Sequence, residues 1–169
     1  NNAVDLNRVE IVNIKRENIV FGYIGTLSPI EGLDLLIKAF NNLYSNNAQN
    51  KLLIYGDGIE LEKLKSLAKN NPLVEFKGKF DQTQISEVYS TIDVVINPRI
   101  SNYLTNSVTP LKPLEAMAYK KLVLASDVGG IKELIEHNKT GCIFKSDSTT
   151  SIEKIVCDII STNDFDHIV

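Results

Sequence analysis

The residues best arranged for chemistry are Val108-Thr109-Pro110-Leu111-Lys112-Pro113-Leu114-Glu115-Ala116-Met117-Ala118. Pro113 marks a helix start, because the first turn offers no intrahelical acceptor for the N–H that proline lacks. The amides of Leu111 and Lys112 then face outward at a helix N-terminus, where phosphate is favoured. Lys112 adds a full positive charge. Glu115, one turn further on, is placed to accept hydrogen bonds from sugar hydroxyls. A capped surface helix with a solvated lysine and glutamate would use the same spacing.

Such a site needs a frame, and the rest of the chain supplies one. Short apolar runs rich in β-branched residues and leucine predict strands over 18–24, 51–55, 74–76, 93–96, 122–125 and 142–144. Helical spacing of apolar residues predicts helices over 31–43, 60–68, 84–89, 113–118, 131–136 and 151–160. Near-continuous apolar strands, most of them followed by a helix, imply a parallel sheet covered on both faces. Right-handed crossovers make it an α/β, Rossmann-like doubly wound sheet in three αβα layers. The longest irregular segment, 97–109, follows the strand over 93–96. Long loops in compact domains are usually functional or disordered, and open parallel sheets bind ligands beyond the carboxyl ends of their strands. Segment 97–109 meets both conditions.

Composition narrows the classes. The chain has 169 residues, 43% hydrophobic, with a net charge of −3, so a globular domain with a real core is expected and nucleic-acid binding is not. No apolar stretch approaches membrane-spanning length, and the start shows no signal peptide. Cys142 and Cys157 lie outside any C-x-x-C pair, and only His137 and His167 could join them. No metal site or disulfide framework is expected, and both cysteines read as buried apolar residues of a cytoplasmic protein. A dinucleotide oxidoreductase would show G-x-G-x-x-G after the first strand, whereas Gly25 is followed by Thr-Leu-Ser-Pro-Ile-Glu. Gly25 would let a phosphate approach the backbone, although a plain turn uses glycine equally. Gly56-Asp57-Gly58, Gly129-Gly130 and the loop aromatic Tyr103 carry the same double reading.

Leu114-Glu115-Ala116-Met117-Ala118, Ser126-Asp127-Val128-Gly129-Gly130-Ile131-Lys132-Glu133-Leu134-Ile135 and Lys139-Thr140-Gly141 resemble the group 1 family of retaining glycosyltransferases. The resemblance extends upstream, in the family's order, through Gly22-Tyr23-Ile24-Gly25, Glu31-Gly32-Leu33-Asp34-Leu35-Leu36, Gly56-Asp57-Gly58, Val74-Glu75-Phe76-Lys77-Gly78 and Asp93. It implies one half of a GT-B architecture, in which two Rossmann-like domains face each other across a cleft. This chain would be the C-terminal, donor-binding half over residues 1–169, with 1–17 as linker and entry segment. Asn2-Ala3-Val4-Asp5 looks like the interdomain linker, and the N-terminal acceptor domain would be absent.

The resemblance also implies the site. Glu115 would take the ribose hydroxyls and position the donor, with no catalytic residue assigned beyond it. Gly25, Thr26, Thr109 and the amides of Leu111 and Lys112 would lie along the diphosphate of a UDP- or GDP-linked sugar. The family often has Arg and Lys where this chain has Thr26 and Glu31, and a first glutamate where it has Ser107. Arg99 and Lys112 would replace the lost cations. The expected activity is hexosyl transfer to a saccharide, lipid or other acceptor, without cofactor or metal. The protein would be cytoplasmic, or peripheral at the inner membrane face through the missing half. The alternatives are a degenerate α/β interaction module and a GT-B sugar-nucleotide epimerase.

Overall fold

The computed structural model describes residues 18–46 and 48–162. The expected linker and entry segment, 1–17, lie outside the described residues. Six strands form one parallel sheet: β1 (Val20–Ile24), β2 (Lys51–Tyr55), β3 (Val74–Gly78), β4 (Val94–Asn97), β5 (Leu122–Ser126) and β6 (Cys142–Phe144), in the order β3-β2-β1-β4-β5-β6. The order reverses between β1 and β4, so those strands flank the switch point.

Among the described residues, seven α-helices accompany the strands, six of them in the connections and α7 after β6: α1 (Leu33–Ser45), α2 (Leu61–Ala68), α3 (Ile85–Ser90), α4 (Tyr103–Ser107), α5 (Lys112–Ala118), α6 (Ile131–Leu134) and α7 (Thr149–Thr162). Strand side chains alternate between two cores. Phe21 and Tyr23 of β1 pack with Leu36, Ile37 and Phe40 of α1 and Val156 of α7. Val20 and Ile24 pack on the other side with Val88 and Tyr89 of α3 and Ala116 of α5. Each fully buried Leu or Ile contributes about 1.5–3 kcal/mol relative to exposure. Two apolar faces per strand thus explain the nearly unbroken hydrophobic runs. Asp93 fixes the start of β1, accepting from the Val20 amide at 2.8 Å while its own amide donates to the Val20 carbonyl.

Two expectations are corrected. Residues 97–109 are not wholly irregular, because they contain α4. Asn102 caps that helix, accepting from the Thr105 amide at 2.9 Å, and Thr105 Oγ1 donates to the Ile100 carbonyl at 2.6 Å. With no apolar periodicity, this short helix is set by polar capping, which a hydrophobic pattern does not reveal. Of the cysteines, Cys142 is buried but Cys157 is exposed. Cys157 lies on α7 beside Val156, and that helix turns only one stripe toward the sheet.

Candidate functional site

The carboxyl ends of β1 and β4 carry the site. After β1 the chain turns at Gly25 (φ +153°), whose amide donates to the Tyr55 carbonyl at 3.0 Å. A Cβ on Gly25 would sit 2.2 Å from Lys112 Nζ, so the lysine tip rests directly on this glycine. Opposite, a Cβ on Gly56 (φ +128°) would fall 1.8 Å from the Gly25 carbonyl oxygen. Both positions need glycine because backbones close on each other there.

Tyr23 ends the buried face of β1 with a polar tip. Its hydroxyl donates to the Thr26 carbonyl at 2.9 Å and accepts from Lys112 Nζ at 2.9 Å, and the ammonium also lies 4.9 Å from the centre of its ring. Burial, then the neighbouring Glu31 carboxylate, push the Tyr23 phenol well above its ordinary range. Tyr23 is therefore a neutral donor at all working pH values.

Glu31 closes the 3-10 turn Pro29–Glu31, and its side chain is only 7% exposed. It pairs with Lys112 Nζ at 3.3 Å and with Arg99 Nη2 at 3.6 Å. Arg99 is 12% exposed and Lys112 32% exposed, so this is a partly desolvated cluster. Its satisfaction is incomplete. Glu31 Oε2 forms an ion pair without an aligned hydrogen bond, and Arg99 Nε and Nη1 and Asn97 Nδ2 are buried without a hydrogen-bond partner. Burial holds the Lys112 ammonium below its ordinary pKa, with Glu31 pulling it back up and Arg99 pressing it further down. Arg99 is held from behind, where its carbonyl accepts from Ser126 Oγ at 2.7 Å.

The structure thus gathers Gly25, Thr26, Arg99 and Lys112, and adds two residues that the sequence reading did not place in the site. Tyr23 could have been flagged as a tyrosine whose polar tip ends a buried strand. Glu31 was read as a lost positive charge, when it is the counter-ion of both remaining cations. Arg99 and Lys112 are correspondingly not free. The N-terminus of α5 is also a weaker anion site than its sequence suggests, because the helix has only seven residues and carries little dipole. Leu111 is the exposed residue at its N-cap.

Glu115 and Thr109 have other neighbours. Glu115, in the first turn of α5, accepts from the Tyr89 hydroxyl at 3.4 Å. Burial and Glu115 together raise the Tyr89 phenol. Tyr89 stacks on Tyr119 with ring centres 4.3 Å apart, which fixes the donor under the carboxylate. Thr109 is exposed and lies against Gly130. A Cβ on Gly130 would meet Thr109 Oγ1 at 2.1 Å, and one on Gly129 would meet the Asn106 carbonyl oxygen at 2.3 Å. Gly129-Gly130 is therefore the seat of the 97–109 segment, and the Gly129 amide donates to Asn106 Oδ1 at 2.9 Å. Among the described residues, no group of three or more His, Cys, Asp or Glu could hold a metal, and no helix is long and apolar enough to cross a membrane.

A parallel Rossmann-like sheet with helices on both faces and a charged cluster at its switch point defines an α/β domain of the doubly wound class. The sequence profile of the family described as glycosyl transferases group 1 matches residues 7–168, and the chain belongs to that family. It is 29% identical over 140 residues to the lipopolysaccharide 1,2-N-acetylglucosaminetransferase of Salmonella typhimurium, covering 77% of this chain and 36% of that one. It is 27% identical over 130 residues to a GDP-mannose-dependent alpha-mannosyltransferase of Mycolicibacterium smegmatis, covering 76% of this chain and 31% of that one. The chain therefore spans about a third of the length of these relatives. Among solved structures, the C-terminal domain of a group 1 family protein (LpcC) from Francisella tularensis superposes with a TM-score of 0.79 at 20% identity, over 98% of this chain and 92% of that one. Anabaena HepE, solved with UDP-glucose, gives 0.74 at 24% identity, over 90% of this chain and 42% of that one. At these identities the structural matches establish the fold.

Proposed function

We propose that this chain is the donor-binding domain of a glycosyltransferase. It would hold a UDP- or GDP-linked sugar for retaining hexosyl transfer to a saccharide or lipid-linked acceptor. The supporting observation is that the two cations flanking α4, Arg99 and Lys112, converge on Glu31 at the switch point. One of them, Lys112, rests on the glycine that ends β1. Arg99 brings two buried donors without partners, in the planar fork that suits phosphate oxygens. Family membership and the donors named for relatives point the same way. Glu115, steadied by Tyr89, would accept the ribose hydroxyls. Acceptor binding would fall to a further, N-terminal domain facing the carboxyl edge of the sheet. Tyr103, 91% exposed, and exposed Leu104, Val108, Leu111 and Ile59 all lie in segments that follow the carboxyl ends of β2 and β4.

The test is a thermal-shift panel of UDP, GDP, ADP and their sugars on this chain. A ligand confined to the native state stabilises it by RT ln(1 + [L]/Kd), so one base should lead. A flat panel would count against the reading. A second reading, a degenerate interaction module, is favoured by the pairing of both cations with Glu31, and the flat panel is its expected result.

A further inference from the structure

Resting on that reading, we infer that Glu31 is a specificity-determining residue of the donor site. It is a fixed internal counter-anion that keeps the released nucleoside diphosphate weakly held. The cluster of Arg99, Lys112 and Glu31 carries one net positive charge in a partly desolvated setting. Lys112 is 32% exposed and open to an entering phosphate, while Arg99 is 12% exposed with Nε and Nη1 buried without hydrogen-bond partners. What distinguishes Glu31 from an exposed partner is that its side chain is only 7% exposed and its backbone is pinned on both sides. Gly32 follows it in the left-handed conformation (φ +65°), with its amide on the Pro29 carbonyl at 3.4 Å. A Cβ on Gly32 would lie 2.0 Å from the Pro98 carbonyl oxygen. The Ile100 amide donates to the Ile30 carbonyl at 3.1 Å, locking the turn to the segment after β4. The carboxylate therefore stays beside its cations when a ligand arrives, and the ligand has to share them.

Sharing is unequal between substrate and product. A nucleoside diphosphate esterified to a sugar carries about two negative charges at neutral pH, and the freed one carries about three. A fixed negative group beside the phosphate site opposes the additional charge, and low local dielectric magnifies the difference. Glu31 thus lowers affinity for the product more than for the donor, and returns Arg99 and Lys112 to an internal partner when the product leaves.

The experiment is calorimetric titration of wild type and Glu31→Gln with UDP, UDP-glucose and uridine, and in parallel with GDP, GDP-mannose and guanosine. The substitution keeps the side chain's size and removes its charge. The expected result is about tenfold tighter nucleoside diphosphate binding, a smaller gain for the sugar-linked form and no change for the nucleoside. Unchanged or weaker diphosphate binding would overturn the inference, because Glu31 would then only hold the cations in place. If Glu31→Gln alone does not fold, the same substitution in a Lys112→Met background avoids leaving two cations unbalanced. Tightening relative to Lys112→Met alone is expected there, and its absence is equally fatal. Wild type binding a diphosphate without tightening in the variant sinks this inference alone. Binding by neither protein sinks the donor-site reading with it.

Discussion

At the scale of single residues, Lys112 separates stability from function. Its ammonium is held below its ordinary pKa chiefly by burial. A cation with a depressed folded-state pKa disfavours folding while it is charged, and that penalty is relieved as pH rises through the folded value. Lys112→Met is therefore expected to leave the melting temperature at pH 7 unchanged or slightly higher, while weakening nucleoside diphosphate binding at least tenfold. A large loss of melting temperature would show instead that the ion pair holds the fold together. Glu115 makes the complementary prediction. A hydrogen bond to a charged group is worth about 1.5–3 kcal/mol, so Glu115→Gln should weaken donor binding by about that amount with circular dichroism unchanged. Tyr89→Phe should produce part of the same loss, because Tyr89 supplies the hydroxyl that steadies Glu115.

At the scale of elements, two close approaches define the site. The turn after β1 and the turn after β2 meet at Gly25 and Gly56, and a methyl group on Gly56 would collide with a backbone oxygen. Gly56→Ala is thus expected to cost about 1–3 kcal/mol in urea unfolding. A neutral result would mean that the turn relaxes. α4 is held by polar caps, with Thr105 fully buried. Thr105→Val, which keeps the shape and removes the hydroxyl, should speed amide exchange across 102–107 and cost about 1–2 kcal/mol. Unaltered exchange would remove the cap from the account. All six strands were legible, four of them because they bury both faces, and their ends differ from expectation by no more than two residues. α4 was not, because its cap depends on a spacing of Asn102 and Thr105 that an irregular loop could also contain. The glycine pair 129–130 could be read as a turn, but its second role as a seat for another segment exists only in three dimensions.

At the scale of the whole molecule, sequence order alone named the family, while the charged site was half visible. Arg99 and Lys112 were found as the cations flanking the loop, but Glu31 could be counted only as a missing charge. Linear distance hides that a residue before α1 and two residues around α4 share one cluster. On the proposed reading as the donor-binding domain of a two-domain transferase, the chain is expected to bind a donor nucleotide and give no turnover by itself. Orienting two reactants can supply about 7–11 kcal/mol of a barrier, and on that reading this chain orients only one. Transfer at the full-length rate by these 169 residues would refute that division of labour. The central claim, that Arg99 and Lys112 form a diphosphate site, is tested most directly by isothermal titration of wild type, Arg99→Ala and Lys112→Ala. Each would be titrated with UDP and GDP and with the corresponding nucleosides. The account predicts that wild type binds one diphosphate well above its nucleoside and that each substitution removes most of that preference. Wild type failing to bind either diphosphate at millimolar concentration, or both variants binding as wild type does, would contradict it.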